Sequence, residues 1–198
     1  MLDADKSYIA DIIQPSMRRR AARQALLAAG WEFVGGGSFA AVYGSPDGTR
    51  VAKVTKPDRG AAKTYEMANA LRGNPHLPRY FNAIALIDGG HVYEAERLLP
   101  LANWEELEAL EREFRNNDDY KAAFETLDDA WGCNDRHYLN AMRRAGSGEL
   151  VLTDYLADMG QLPNASVCAC DAAVGHFSDY TRSGSNHWLD KEAERAAA

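Results

Sequence analysis

The stretch Trp31–Val54, WEFVGGGSFAAVYGSPDGTRVAKV, decides how the chain is read. Trp31, Phe33, Ala41, Tyr43 and Val51 to Val54 are strand residues, β-branched, aromatic or small, and glycine interrupts them where the backbone must turn. The run therefore reads as two strands joined at Gly35-Gly36-Gly37, then a hairpin turn at Ser45-Pro46-Asp47-Gly48, then a third strand carrying Lys53. Gly35, Gly37, Phe39 and Val42 fall on the spacing G-x-G-x-F-x-x-V.

This spacing suits a phosphate cradle. Without a Cβ, glycine lets backbone N–H donors come close to an anion. Gly35 and Gly37 provide that approach, Phe39 is placed to cap the tip, and Ala40 stands where a third glycine would complete the pattern. Glycine hairpins are common, so the weight lies in the combination with Val51-Ala52-Lys53-Val54 on the next strand. The Lys53 ammonium needs a carboxylate to hold it toward phosphate. Glu66 is the only acid between Asp58 and Asp88, and its alternative is a solvated helix glutamate.

Working outward, Met17 to Ala29 is rich in helix formers and Gly30 supplies a stop. Arg18, Arg19 and Arg20 oppose the dipole at the start of that helix, so they are either solvated or held by an acidic neighbour. Ala61 to Leu71 reads as a helix closed by Gly73-Asn74-Pro75. Strands follow at Tyr80 to Ile87 and His91 to Leu98, separated by Asp88-Gly89-Gly90. After Pro100 the pattern becomes helical only. Asn103 with Glu106 marks a capped start, and Trp104, Leu107, Leu110 and Phe114 share one face. Further helices are expected over Asp118 to Trp131, near Asp135 to Arg144, near Glu149 to Met159, and at Ala165 to Phe177.

At 198 residues with 46% apolar and 26% charged residues, the composition is that of a globular protein with a proper core. No apolar run reaches transmembrane length and no secretory signal opens the chain, so a cytoplasmic, membrane-free location is expected. The net charge of −7 argues against nucleic-acid binding through phosphates. Between Glu94 and Trp131 twelve acids face four bases, giving a segment of −8: a solvated helix surface, or a docking face for a basic protein. Cys133, Cys168 and Cys170 suit a reducing compartment. With His137 and His176 they could be assembled into a zinc site, but C-x-C is not knuckle spacing and no metal is assigned.

Residues 29–101 resemble the small lobe of the early serine/threonine protein kinases of lytic podoviruses. The resemblance rests on AGWEFVGGGSFAAVYGSPDGTRVAKV, then GAAKTYEM and HLPRYF. It implies a kinase-like antiparallel sheet with one helix over residues 1–101, and a shortened, all-helical lobe over 102–198: an α+β fold. It also implies ATP at Gly35, Gly37, Phe39, Val42, Lys53 and Glu66, with adenine against the backbone of the Glu94–Leu99 connector.

In that family a loop D-x-H-x-G-N supplies a catalytic aspartate and a metal-binding asparagine, and a second metal-binding aspartate follows. The counterpart taken here is the run from His176 to Asn186, with Asp179 as base and Asn186 as metal ligand. They stand seven apart where the pattern has five, and twelve residues remain after Asn186. A magnesium clamp is then missing, and phosphoryl transfer without one loses orders of magnitude in rate. The leading expectation is thus a phage-encoded pseudokinase that binds and inhibits a host protein, in the transcription machinery or a defence complex. The alternative is an active minimal serine/threonine kinase that phosphorylates host proteins.

Overall fold

The computed structural model describes residues 6–37, 39–57, 59–131 and 138–153. Its first half is one antiparallel sheet built from β1 (Glu32–Gly36), β2 (Ala40–Gly44), β3 (Arg50–Thr55), β4 (Tyr80–Ala85) and β5 (His91–Glu96). Their spatial order is β1-β2-β3-β5-β4. Helix α1 (Arg19–Ala28) precedes the sheet, and α2 (Arg59–Ala70) joins β3 to β4. The order read from the sequence, three strands, a helix and two strands, is the order found.

The turn chemistry explains the connections. Gly48 at φ +72° closes the β2–β3 hairpin by donating from its N–H to the Ser45 carbonyl at 2.9 Å. Asp47 pins the same turn by accepting from the Ser45 hydroxyl at 2.6 Å and the Thr49 N–H at 3.0 Å. These bonds, the Ser45 one foremost, hold its carboxyl down at about 2.

Alternation along the strands gives the sheet two faces. Ala41, Tyr43, Ala52, Val54 and Val92 lie in one buried cluster with Ile9, Ile13, Ala22, Leu26 and Trp31. Residues 6–13 and α1 therefore cover this outer face. Ile9 and Ile13 are fully buried there, each contributing about 1.5–3 kcal/mol by its removal from water.

A polar knot anchors the same segment. The Arg50 guanidinium meets the Glu94 carboxylate at 2.7 Å, with side chains only 4% and 0% exposed. Glu94 also accepts from the Ser7 hydroxyl at 2.6 Å and from the Tyr8 N–H at 2.9 Å. Arg50 donates to the Lys6 carbonyl and lies between the Tyr8 and Phe81 rings, 3.8 and 3.7 Å from their centroids. At the start of α1, the Asp88 carboxylate takes the Arg19 guanidinium at 2.8 Å and the Arg19 backbone N–H at 3.2 Å. Arg19 thus has the acidic neighbour that its place at a helix start requires, and the Arg19 bond holds the Asp88 carboxyl below its ordinary value.

The second half corrects one expectation. Helices α3 (Trp104–Phe114) and α4 (Asp118–Trp131) form as read, and Asn103 caps α3 by accepting from the Glu106 N–H at 2.9 Å. The all-helical lobe does not. Residues β7 (Ala141–Arg143) and β8 (Leu150–Leu152) are strands, and with β6 (Leu99–Pro100) they make a three-stranded antiparallel sheet, β6-β7-β8. Within the described residues this replaces the helices expected near 135–144 and 149–159. The reason is local. Gly146 and Gly148 adopt φ +87° and +83°, which closes a hairpin and stops any helix, and Leu150-Val151-Leu152 is fully buried on both sides as a short core strand. The helix expected at Ala165 to Phe177 lies outside the described residues.

Met67, Ala68 and Leu77 share a second core with Leu107, Tyr120, Ala123, Ala141, Leu150 and Leu152. This core straddles the boundary expected at 101/102. Arg144 reinforces it, bridging Glu96 at the end of β5 at 2.6 and 3.0 Å and donating to the carbonyls of Pro75 and Leu77. No helix among the described residues is long and apolar enough to cross a membrane.

Candidate functional site

The site begins at the β1–β2 hairpin. Gly35 faces Val42, Val42 faces Lys53 and Lys53 faces Tyr93, so these residues form one row across β1, β2, β3 and β5. Directly opposed residues share a face, and the alternation of β3 puts this row opposite the face covered by residues 6–13. Helix α2 flanks it through Tyr65, whose ring lies 5.5 Å from Tyr93 and 5.1 Å from Tyr80. Phe39, at the hairpin tip, is 43% exposed.

The three glycines differ in what holds them. A Cβ on Gly36 would sit 2.9 Å from the Ala40 carbonyl oxygen, so packing alone requires glycine there. A Cβ on Gly35 or Gly37 would meet nothing within 4 Å, and both have negative φ. Neither steric crowding nor backbone strain accounts for them, whereas close approach of a ligand would. Gly36→Val is accordingly expected to lower stability by about 1–3 kcal/mol through overpacking. Gly35→Val should keep the parent melting temperature and lose the nucleotide-induced shift. Equal melting losses in the two variants would contradict this division.

Lys53 is half-buried in mid-strand. The expected pairing with Glu66 is not made: the Glu66 carboxylate is 66% exposed and lies 3.4 Å from Lys63, one turn back on α2. The carboxylates of 94–131 are also more divided than their count implies. Glu94 is buried on Arg50, Glu96 bridges Arg144 and Glu106 pairs with Arg143 at 3.3 Å. Glu105, Glu108, Glu113, Asp118, Asp119 and Glu125 remain exposed.

Asp179 and Asn186 lie outside the described residues, as do Cys133, His137, Cys168, Cys170 and His176. The sequence also holds a run that the expectations above did not weigh. Asp135-Arg136-His137-Tyr138-Leu139-Asn140 reads D-x-H-x-x-N with the required five-residue spacing, Leu139 standing where the pattern has glycine. Asp135 lies outside the described residues. Asn140 ends a single 3-10 turn (Tyr138–Asn140) and leads directly into β7. At the far end of the hairpin, Thr153 follows β8, and Asp154 is the next residue in the chain.

The hairpin joins its two ends. The Asn140 carbonyl accepts from the Thr153 N–H at 3.0 Å and from the Thr153 hydroxyl at 2.9 Å. Further support comes from His76, fully buried between the Phe114 and Tyr120 rings, whose Nδ1 lies 2.8 Å from the Leu150 carbonyl. The His76 carbonyl in turn accepts from the Leu152 N–H at 2.9 Å. No protein-family model matches this chain, and no curated protein matches it at a significant level.

Proposed function

We propose that the protein is a compact ATP-dependent serine/threonine protein kinase, of the kind its resemblance to the early podovirus kinases implies. The observation that carries this reading is the β7–β8 hairpin, which fastens Asn140 to Thr153 and leaves Asp154 next in the chain. The motif 135–140 then has the spacing of the family's catalytic loop, and Asp154 has the order of its second metal-binding aspartate. The sheet with its inserted helix and the Gly35–Val42–Lys53 row support the same reading.

In this site the backbone of the Gly35–Gly37 turn comes close to the phosphates, and Lys53 adds a positive charge beside them. Asn140 and Asp154 would hold Mg²⁺, which would supply charge neutralisation to the phosphates. Asp135 orients the substrate hydroxyl and accepts its proton. Host proteins in the cytoplasm are the proposed substrates.

The test pairs transfer with binding. Purified protein given labelled ATP, Mg²⁺ and a host-cell extract is expected to transfer phosphate to serine or threonine. Asp135→Asn should abolish transfer but retain the ATP-induced rise in melting temperature, which at 100 times the dissociation constant corresponds to about 2.7 kcal/mol. Asp179→Asn should transfer normally. Silence of the parent protein with both Mg²⁺ and Mn²⁺ would sink the proposal.

The second reading is a pseudokinase that inhibits a host protein by binding. The observation favouring it is the set of exposed acids on α3 and α4, which suits a basic partner. A melting shift with ATP and no transfer would select it.

A further inference from the structure

We infer that Arg97 is a specificity-determining residue for the nucleotide, its guanidinium recognising the nucleoside end while Lys53 meets the phosphates. The inference rests on the reading of the Gly35–Val42–Lys53 row as the phosphate end of a nucleotide site. Two further rows flank that one on the same face of the sheet, each two residues away along the strands, about 7 Å. Ala40, Thr55, His91 and Ala85 form the first. There the His91 ring already stacks on Tyr93, with 5.5 Å between centroids and 15° between planes. Gly44, Val51 and Ala95 form the second, with Glu32 and Tyr80 at its two ends. The middle of this second row carries only a hydrogen, an isopropyl group and a methyl. A nucleoside extending from the phosphates meets least obstruction there.

Arg97 is brought to the second row by its backbone and by its packing. Its N–H donates to the Thr49 carbonyl at 2.9 Å, which carries the β3–β5 pairing one step past Arg50↔Glu96. Alternation from Tyr93 and Ala95 then puts its side chain on the Lys53 side. The guanidinium lies against Gly44: Nη1 is 3.1 Å from the point that a Cβ on Gly44 would occupy, and a Val34 methyl is 3.1 Å from the same point. Glycine at 44 thus admits the guanidinium to the sheet surface.

Arg19, Arg50, Arg143 and Arg144 each sit on a carboxylate. Arg97 differs: it is exposed, and its side chain makes no hydrogen bond or ion pair among the described residues. Its five N–H donors, in a fixed fork, are therefore available to the acceptor oxygens and ring nitrogens of a ribose and base.

The test separates the two ends of the ligand. Dissociation constants for ATP and for inorganic tripolyphosphate are measured by titration calorimetry on the full chain in magnesium-free buffer. Arg97→Ala is expected to weaken ATP by about 10-fold, the loss of one hydrogen bond from a charged group, and to leave tripolyphosphate unchanged. Lys53→Met should weaken both. Parent-like ATP affinity in Arg97→Ala, beside a loss in Lys53→Met, overturns the inference and spares the site. An equal loss of both ligands in Arg97→Ala overturns it too, because the guanidinium would then act as a charge on the phosphates. Should the alanine variant fail to fold by circular dichroism, Arg97→Gln gives the same comparison. If the parent binds neither ligand, or Lys53→Met leaves both untouched, the nucleotide-site reading fails, and this inference with it.

Discussion

Lys53→Met is expected to lower phosphoryl transfer by about 10²- to 10³-fold, the loss typical of removing one preorganised charge or donor from a transition state. Lys53 sits in the middle of β3, held on both sides by ladder pairing to Val42 and Tyr93. This pairing holds its backbone in the sheet, so a substitution there acts through the side chain. Methionine keeps the apolar stem that packs along the sheet and removes the charged end alone. Transfer should therefore collapse while the protein still folds, which circular dichroism and melting can verify beside the kinase assay. Undiminished transfer would take Lys53 out of the site and with it the Gly35–Val42–Lys53 row.

Glu94→Ala is expected to destabilise the chain by about 3–5 kcal/mol, the cost of leaving a buried partner charge uncompensated. Arg50 is 4% exposed, so its guanidinium could not recover the lost contact from water. The Ser7 hydroxyl and Tyr8 N–H would lose their acceptor as well. Set against a usual total of about 5–15 kcal/mol, this is a large share of the fold. Urea unfolding measures it through the midpoint at constant slope. Ser7→Ala should cost less, about 1.5–3 kcal/mol, because Glu94 keeps Arg50 and only the hydroxyl's bonds to Glu94 and from Asn82 are removed. A Glu94→Ala loss below about 1 kcal/mol would mean that the pair is not buried as described.

Much of the first half is legible in the sequence because its signals are local. The β2–β3 turn is written in Ser45-Pro46-Asp47-Gly48, the β4–β5 turn in Asp88-Gly89-Gly90, and the α3 start in Asn103 and Glu106. What escapes is set by distant partners. Nothing around Ser7 announces that residues 6–13 cover a sheet, since the acceptor, Glu94, lies 87 residues away. Glu66 has the right position for Lys53, yet a helix offers Lys63 within one turn and that nearer charge takes it.

The β7–β8 hairpin hides for a different reason. Ala141-Met142-Arg143-Arg144 are good helix formers, and only the pair Gly146 and Gly148 and the burial of Leu150 to Leu152 turn them into strands. The run D-x-H-x-x-N at 135–140 escapes because Leu139 stands where the resembled pattern has glycine. A strand read at 150–152 would have drawn attention to Asn140, which the hairpin bonds to Thr153.

Arg144 has a mechanical consequence. One guanidinium grips the carboxylate that ends β5 and two carbonyls of the α2–β4 loop, while its own backbone belongs to the turn after β7. Swinging the two sheets apart would break all of these bonds at once. Relative motion of the two sheets is thus opposed by one side chain, whereas the β1–β2 hairpin is tied only by its own backbone ladder and the Gly37 N–H to Ala40 carbonyl bond at 2.9 Å.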